Sequence, residues 1–123
     1  MAFFFERKKM LFTEKLHDSA QFTDVYKNGR SKANKYLIMY IKENDTEKNR
    51  FGISVSKKVG NSVVRHRIKR LLKESYRLHE GMFNNGLDIA VVVRGGASDI
   101  SYREMESALL HLCRLQRIMK PQS

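Results

Sequence analysis

The sequence feature that most constrains the fold is a basic segment at residues 51–77, FGISVSKKVGNSVVRHRIKRLLKESYR. From residue 57 to residue 77 it contains eight lysines and arginines and a single acid, Glu74. Because an α-helix advances about 100° per residue, the apolar side chains after residue 63 fall in one stripe and most cations in another. The predicted core stripe consists of Ile68, Leu71, Leu72, Ser75 and Leu78. The segment therefore predicts an amphipathic helix with one packed face and one cationic face.

The cationic face of this helix has almost no acids. Cationic surfaces are often simply solvated, but solvated helix faces usually mix signs to form i,i+4 pairs, and here only Arg70 and Glu74 could pair. The preceding residues 57–61 include a glycine and Asn61, which allow a turn whose backbone N–H groups suit phosphate oxygens. Asn61 or Ser62 is the expected N-cap. We therefore interpret this face as a site for a polyanion.

Composition also favours an anionic partner. The chain has 123 residues, enough for one domain with a modest core, and a formal net charge of +11, which suits nucleic acid or an acidic membrane surface. Its single cysteine, Cys113, excludes a disulfide within the chain and is expected in the core. The N-terminal apolar run is shorter than the roughly 7–15 residues of a signal peptide, and no stretch approaches the roughly 18 residues of a membrane span. We expect a soluble cytoplasmic protein without a membrane partner.

The rest of the chain is typical of an α+β domain. Asp18 or Ser19 can cap a short helix that Asn28 and Gly29 end. The polar run at residues 42–50 predicts a hairpin between the strands on either side of it. The predicted elements are a helix at 19–27, strands at 34–41 and 51–56, the basic helix, a linker at 80–86, a central strand at 87–93, and a helix from the capping box Ser101–Glu104 to Lys120 and Pro121.

Two aromatic residues of the first helix, Phe22 and Tyr26, lie one turn apart and form a ridge. Such a pair most often belongs to the core, and periodicity alone leaves that interpretation open. The strand at 51–56 places Ser54 and Ser56 with Gly52 on the face opposite its large residues. A low surface of small hydroxyl side chains beside two rings could hold a flexible chain.

The sequence has no catalytic or metal-binding pattern of its own. The histidines have no Cys or carboxylate partners at the spacing of metal ligands. They are His17, His66, His79 and His111. There is no Gly-rich nucleotide loop and no nucleophile motif, and the acids do not cluster as in nucleases that use two Mg²⁺ ions. We predict no catalytic residue and no metal site in the chain.

Residues 54–61, SVSKKVGN, followed by residues 65–70, RHRIKR, resemble the signature of the bacterial ribonuclease P protein component, whose basic helix has an Arg-Asn-Arg core. The similarity includes residues 22–30, FTDVYKNGR, the later strand and the closing helix, and it extends over about residues 15–119. One position departs, because His66 stands where the family usually has Asn.

The resemblance implies an α+β fold, a two-layer sandwich with a four-stranded mixed sheet and the element order αβββαβα. It also implies an unusual left-handed crossover, as in the ribosomal protein S5 domain 2-like fold. General rules favour right-handed crossovers, so the residues alone do not predict this handedness. We assign residues 13–123 to the ribonuclease P protein domain and residues 1–12 to an N-terminal extension.

The resemblance further implies the RNA-binding protein subunit of ribonuclease P, an endoribonuclease that removes the 5′ leader from precursor tRNA. A large RNA subunit carries the hydrolysis, Mg²⁺ is bound mainly through that RNA, and the protein is not catalytic alone. The residues expected to contact the RNA subunit are Lys57, Lys58, Asn61, Arg65, His66, Arg67, Lys69, Arg70 and Lys73. Those expected to form the cleft for the single-stranded leader are Phe22, Tyr26, Ser54 and Ser56. The expected partners are the RNA subunit and precursor tRNA, with protein self-association weak or absent.

Two other classes of protein are consistent with the same basic composition. A general RNA- or DNA-binding module, such as a ribosomal protein, would be equally basic, although the ordered signature argues against it. An autonomous nuclease would need catalytic residues, which the sequence lacks.

Overall fold

The structure, a computed structural model, describes residues 13–16 and 18–120. Its strands are β1 (Thr13–Lys15), β2 (Arg30–Ala33), β3 (Leu37–Glu43), β4 (Asn49–Val55) and β5 (Leu87–Val93). Its helices are α1 (Ser19–Asn28), α2 (Ser62–His79) and α3 (Tyr102–Gln116). The predicted extension, residues 1–12, lies outside the described residues, as do His17 and Pro121.

The strands form one mixed sheet in the order β1-β4-β5-β3-β2. It has five strands instead of the predicted four, because Thr13–Lys15 adds a short strand parallel to β4. The predicted hairpin between β3 and β4 is wrong, since β5 lies between them, antiparallel to β3 and parallel to β4. A hairpin joins β2 to β3 instead. The buried strand β5 lies at the centre, as its apolar run predicted.

Alternation along the strands sorts their side chains onto two faces of the sheet. On the first face Met39, Phe51 and Val91 belong to the main core with residues of α2 and α3. On the second face Ala90 lies in a smaller apolar cluster with Val25 of α1. The molecule therefore has three layers, with α1 on the second face, rather than the predicted two.

Packing against β4 rotates the core face of α2 away from the predicted stripe. Three of the predicted residues are buried, but Leu78 is 54% exposed and Tyr76 is fully buried. The Tyr76 ring stacks on Phe51 with centroids 4.0 Å apart, and its hydroxyl lies 2.9 Å from Oγ1 of Thr13. The helix turns toward β4 because this ring buries more apolar surface than a leucine at its last turn would.

The C-terminal part of the chain packs more tightly than predicted. Residues 80–86 are not a free linker, because Phe83 is 1% exposed and forms a β-bridge with Met119. Helix α3 ends at Gln116, before the predicted stop at residues 120–121, since Arg117 adopts a left-handed conformation with φ 56°. The chain then folds back so that Met119 reaches Phe83.

The predicted helix starts are confirmed. Asp18 and Asn61 cap α1 and α2, and Ser101 with Glu104 forms the capping box of α3. Cys113 is buried in the main core, as predicted. Within the described residues, no helix is long and apolar enough to cross a membrane.

Candidate nucleic-acid interface

The cationic surface begins at the turn before α2. Lys57 and Lys58 are exposed there, beside a helix N-terminus whose dipole favours anions. Asn61 uses its side-chain oxygen within the helix, where it accepts a hydrogen bond from the backbone N–H of Val64 at 3.0 Å. The side-chain NH₂ group of Asn61 could therefore donate to an RNA, whereas its oxygen is already used in the helix cap.

Two of the predicted arginines are held by backbone carbonyls. Arg65 is half-buried and donates from Nη1 to the carbonyl oxygen of Gly60 at 3.1 Å. Arg67 donates from Nη2 to the carbonyl oxygen of Ile100 at 2.7 Å. A guanidinium carries five N–H donors, so each arginine keeps donors for a phosphate while its side chain is already positioned.

The other predicted RNA contacts of α2 extend into solvent. They are His66, Lys69, Arg70 and Lys73. The predicted pair of Arg70 with Glu74 is wrong, because Glu74 bonds Arg77 instead, with Nε of Arg77 3.1 Å from its Oε2. Among the residues that the structure describes, Arg70 has no ion-pair partner, and its charge is left for a ligand.

The predicted residues lie on two flanks of α2. One flank is a shallow groove of about 460 Å³ lined by Ser62, Val63, His66, Arg67 and Arg70. On the other flank Arg65 reaches back to Gly60, and Lys69 follows it one turn later. Sequence reasoning missed Val63, which is 75% exposed in the groove, because it lies outside the apolar stripe.

The aromatic ridge of α1 lies on the second face of the sheet. The Phe22 ring sits directly on Gly52, where an added Cβ would lie 2.4 Å from its Cζ. The ring centroids of Phe22 and Tyr26 are 6.0 Å apart. Both side chains are half-buried, so each ring packs on the sheet and still leaves part of its surface in solvent.

The structure brings Ser54 next to these rings. Its side chain hydrogen-bonds that of Tyr26, but burial has the larger effect and raises the pKa of the Tyr26 hydroxyl. Ser56 is exposed directly after β4 and adjoins Lys57. The aromatic cleft, defined by Phe22, Tyr26, Ser54 and Ser56, is thus continuous along the chain with the basic turn.

Sequence reasoning missed Tyr40, whose ring meets that of Tyr26 edge-on with centroids 4.8 Å apart. The signal was present, because Tyr40 alternates with the buried residues Met39 and Ile41 in β3. Tyr40 therefore extends the aromatic surface across the sheet.

An ion pair lies toward one end of this face. Arg50 donates from Nε and Nη2 to the two carboxylate oxygens of Asp88 at 2.7 and 2.6 Å, and Asn44 donates to the same carboxylate at 2.9 Å. Asp88 is 1% exposed, so these bonds offset the cost of burying its charge. Strand β5, which was predicted from its run of apolar residues, thus accommodates one acid because the carboxylate of Asp88 is fully paired.

No metal cluster is evident in residues 13–16 and 18–120: no three His, Cys, Asp or Glu side chains lie close enough to hold an ion. The buried thiol of Cys113 has its pKa raised to about 12 by burial. The chemistry that the described surface offers is therefore hydrogen-bond donation, positive charge and aromatic stacking.

The chain matches a known protein family over most of its length. The model of the Ribonuclease P family matches residues 10–116. The ribonuclease P protein component of Lachnoclostridium phytofermentans is 58% identical over 107 residues, which are 87% of this chain and 92% of that protein. That of Alkaliphilus metalliredigens is 52% identical over 110 residues, 89% of this chain and 99% of that protein.

Solved structures are similar as well. The RNase P protein of Staphylococcus aureus superposes with a TM-score of 0.80 at 33% identity, covering 86% of this chain and 97% of that one. The RNase P protein of Thermotoga maritima gives a TM-score of 0.77 at 30% identity, covering 87% of this chain and 99% of that one.

Proposed function

The chain belongs to the ribonuclease P protein family, and we propose that it binds both the RNA subunit of ribonuclease P and the single-stranded leader of precursor tRNA. Family membership makes it the protein component of an endoribonuclease of tRNA 5′ processing. The observation that carries the finer proposal is the arrangement of a cationic helix face and an aromatic cleft that adjoin at Ser56 and Lys57.

The basic residues of α2 and its preceding turn are the proposed contacts to the RNA subunit. Their charge is almost unopposed, since Glu74 is held by Arg77. Each phosphate that they neutralise releases counterions, which favours binding at low salt. Arg65 and Arg67 are positioned by Gly60 and Ile100, so less side-chain freedom is lost on binding.

The aromatic cleft is the proposed site for the leader. Stacking of unpaired bases on Phe22, Tyr26 and Tyr40 tolerates any base and contributes roughly 1–3 kcal/mol per base. Ser54 adds a small hydroxyl side chain, which leaves room for a backbone to approach. This combination suits a substrate class whose leaders differ in sequence.

Hydrolysis itself is proposed to take place on the RNA subunit, with Mg²⁺ bound mainly through RNA phosphates. The carboxylates Asp24, Glu74 and Asp88 are engaged with Lys42, Arg77 and Arg50, so none of the three is free to hold a metal. The protein would act by lowering phosphate repulsion and holding the substrate, and the proposed location is the bacterial cytoplasm.

Two structural details of the family also belong to the proposal. We propose that the connection from β4 through α2 to the parallel strand β5 crosses over with left-handed chirality, as in the ribosomal protein S5 domain 2-like fold. Because β4 and β5 are parallel neighbours, the chain must cross over between them. The pairing alone does not decide whether that crossover is left-handed or right-handed. We further propose that the protein acts as a monomer within the ribonucleoprotein.

The test combines the purified protein with a bacterial ribonuclease P RNA and a precursor tRNA at limiting Mg²⁺. We expect cleavage at the mature 5′ end only when the RNA is present, with the largest stimulation where Mg²⁺ is scarcest, because the protein's cations replace counterions. The control is the protein alone after repurification free of RNA. Cleavage by the protein alone would contradict the proposal, and binding without stimulation would indicate a general RNA-binding module.

A further inference from the structure

A second donor-rich groove lies on α3, away from the basic face of α2. The α3 groove, defined by residues 34–36 on one side and the exposed flank of α3 on the other, has a volume of about 610 Å³. The flank of α3 that faces α2 carries Glu106, which is 3.0 Å from Nε2 of His79. The groove lies on the other flank, beside the β2–β3 turn.

Its walls carry cations that lack ion-pair partners among the described residues, although Lys35 lies over the ring of Tyr36 at 5.2 Å from the centroid. Lys35, Arg103 and Arg114 line the groove, and none of them forms an ion pair within the part of the chain that the structure describes. Arg103 and Arg114 are eleven residues apart on one helix, which corresponds to about 16 Å along its axis. The positive charge therefore follows the length of the groove instead of marking a single point.

The one acid in the groove, Glu104, is already engaged. Its Oε1 accepts from the backbone N–H of Ser101 at 3.0 Å, and its Oε2 accepts from the hydroxyl of Tyr36 at 3.2 Å. These bonds hold the pKa of Glu104 below its usual value. The carboxylate serves the capping box of α3 and is poorly placed to neutralise the arginines.

The floor of the groove is rigid because Asn34 ties the β2–β3 turn to α3. Its Oδ1 accepts from the backbone N–H groups of Tyr36 and Leu37 at 3.2 and 3.0 Å, and its Nδ2 donates to the carbonyl oxygen of Ala108 at 2.9 Å. Arg94 donates to the carbonyl oxygen of Asn34 at 2.8 Å. A ligand would meet a preformed groove and pay little for ordering it.

The same amide fixes the tautomer of His111. Because Oδ1 of Asn34 faces two N–H donors, it is Nδ2 that lies 3.2 Å from Nδ1 of His111 and donates to it. A neutral ring that accepts at Nδ1 carries its proton on Nε2. The side chains at the groove thus offer donors from Lys35, His111 and the arginines, while the acceptors of Asn34 and Glu104 are used.

From this arrangement we infer that the α3 groove binds a phosphodiester backbone of the RNA subunit, at a segment other than the one on α2. The inference rests on the proposed function for the identity of the RNA. Several donors and three cations, beside a single carboxylate that is already engaged, match phosphate oxygens, and the extended spacing matches a chain of phosphates. The protein would then connect two RNA segments from opposite sides of its helical layer.

The first test removes two charges from the groove with Arg103→Gln and Arg114→Gln in one variant. Its matched control, Lys48→Gln with Lys120→Gln, removes two exposed charges elsewhere, so both lower the net charge of +11 by two. Affinity for ribonuclease P RNA is measured against salt. For the groove variant we expect a slope smaller by about 1.4–1.8, which corresponds to a loss of affinity of roughly 25- to 60-fold at 0.1 M salt relative to 1 M. Equal behaviour of the two variants overturns the inference.

A cross-linking test locates the RNA directly. Cys113 is buried and its thiol pKa is raised to about 12. Ser107 is exposed and lines the α3 groove, so Ser107→Cys adds one reactive thiol there, and Ser62→Cys adds one on α2. With a photoreactive thiol probe, we expect the two variants to cross-link to different RNA nucleotides. Cross-linking from residue 62 but not from residue 107 overturns the groove and leaves the proposed function standing. Absence of both cross-links, together with no binding of ribonuclease P RNA by the unchanged protein, counts against the proposed function itself.

Discussion

At the scale of single residues, the aromatic cleft depends on two rings that are neither free nor fully buried. Phe22 lies on Gly52, while Tyr26 touches Ser54 and Tyr40. A half-buried ring is held in place by the sheet and still exposes a face to an unpaired base. The rings therefore belong partly to the core, and their contact with a leader stays a prediction.

Replacing these rings tests their role in leader binding. Phe22→Ala and Tyr26→Ala are each expected to weaken binding of precursor tRNA by roughly 5- to 150-fold, in line with the stacking energy of one base, and to affect mature tRNA much less. Tyr26→Phe, which keeps the ring and removes the hydroxyl, serves as the control and is expected to bind nearly as well as the unchanged protein. Equal losses for both tRNAs would assign the rings to the core.

Gly52 is expected to tolerate no side chain, because a Cβ would lie 2.4 Å from Cζ of Phe22 and 2.8 Å from Cβ of Leu16. Gly52→Ala should lower the free energy of unfolding by about 1–3 kcal/mol through overpacking, measured by urea denaturation. Gly95→Ala is the matched control, since no atom lies within 4 Å of its added Cβ. Similar values for both variants would show that α1 moves away from the sheet at little cost.

At the scale of elements, helix α2 packs against the core with one face and carries the exposed cations on the other. Its buried side chains hold it to β4 and α3, while its exposed cations repel one another. The repulsion is tolerated because Tyr76 and its neighbours fix the helix to the core, and because an N-cap stabilises its start. We therefore expect the proposed RNA contacts of α2 to be separable by mutation from the residues that hold the helix to the core.

That separation gives a prediction for Lys69→Gln combined with Lys73→Gln. Both lysines are exposed, so the melting temperature should stay nearly unchanged. The slope of log affinity for ribonuclease P RNA against log salt should fall by about 1.4–1.8 if each lysine contacts one phosphate. The pair Lys48→Gln and Lys120→Gln again serves as the control. A lower melting temperature with an unchanged slope would assign these lysines to folding.

At the scale of the whole molecule, the main core encloses two groups that titrate at higher pH in the folded chain than in the unfolded chain. Burial raises the pKa of Tyr76 and of Cys113 to about 12 in each case. The unfolded chain loses these protons near pH 10 and pH 8.5, well below the folded values. Between these pH values and pH 12 the folded state binds more protons than the unfolded state. The free energy of unfolding is therefore undiminished below about pH 8.5 and falls as the pH rises toward 12.

Thiol labelling of Cys113 measures how often the main core unfolds. At pH 8 we expect Cys113 to react with a thiol reagent only at the rate of unfolding, because the native thiol is buried and rarely ionised. In the Ser107→Cys variant the added exposed thiol should react rapidly and provide the control. The free energy of unfolding should also decrease between pH 8.5 and 10. Fast labelling of Cys113 in the unchanged protein would contradict its burial.

Much of the local structure followed from short stretches of sequence. The caps at Asp18, Asn61 and Ser101 could be predicted because capping depends on residues within one turn. The central position of β5 followed from its apolar run, and the cationic face of α2 from charge spacing. The family signature around residues 54–70 indicated the function, because its order is far more specific than its composition.

Contacts between distant residues were decided only by the tertiary structure. Sequence proximity suggested a hairpin of β3 with β4, but β5 lies between them, since strand order depends on which strand can be buried on both faces. The Tyr76 ring replaced Leu78 in the core because Phe51 lies across from it. The α3 groove likewise exists only because Asn34 is bonded to residues of α3 more than 70 positions away. Helix caps and the periodicity of charged and apolar residues are properties of the local sequence, whereas strand order, the residues that fill the core and the grooves depend on how the layers pack.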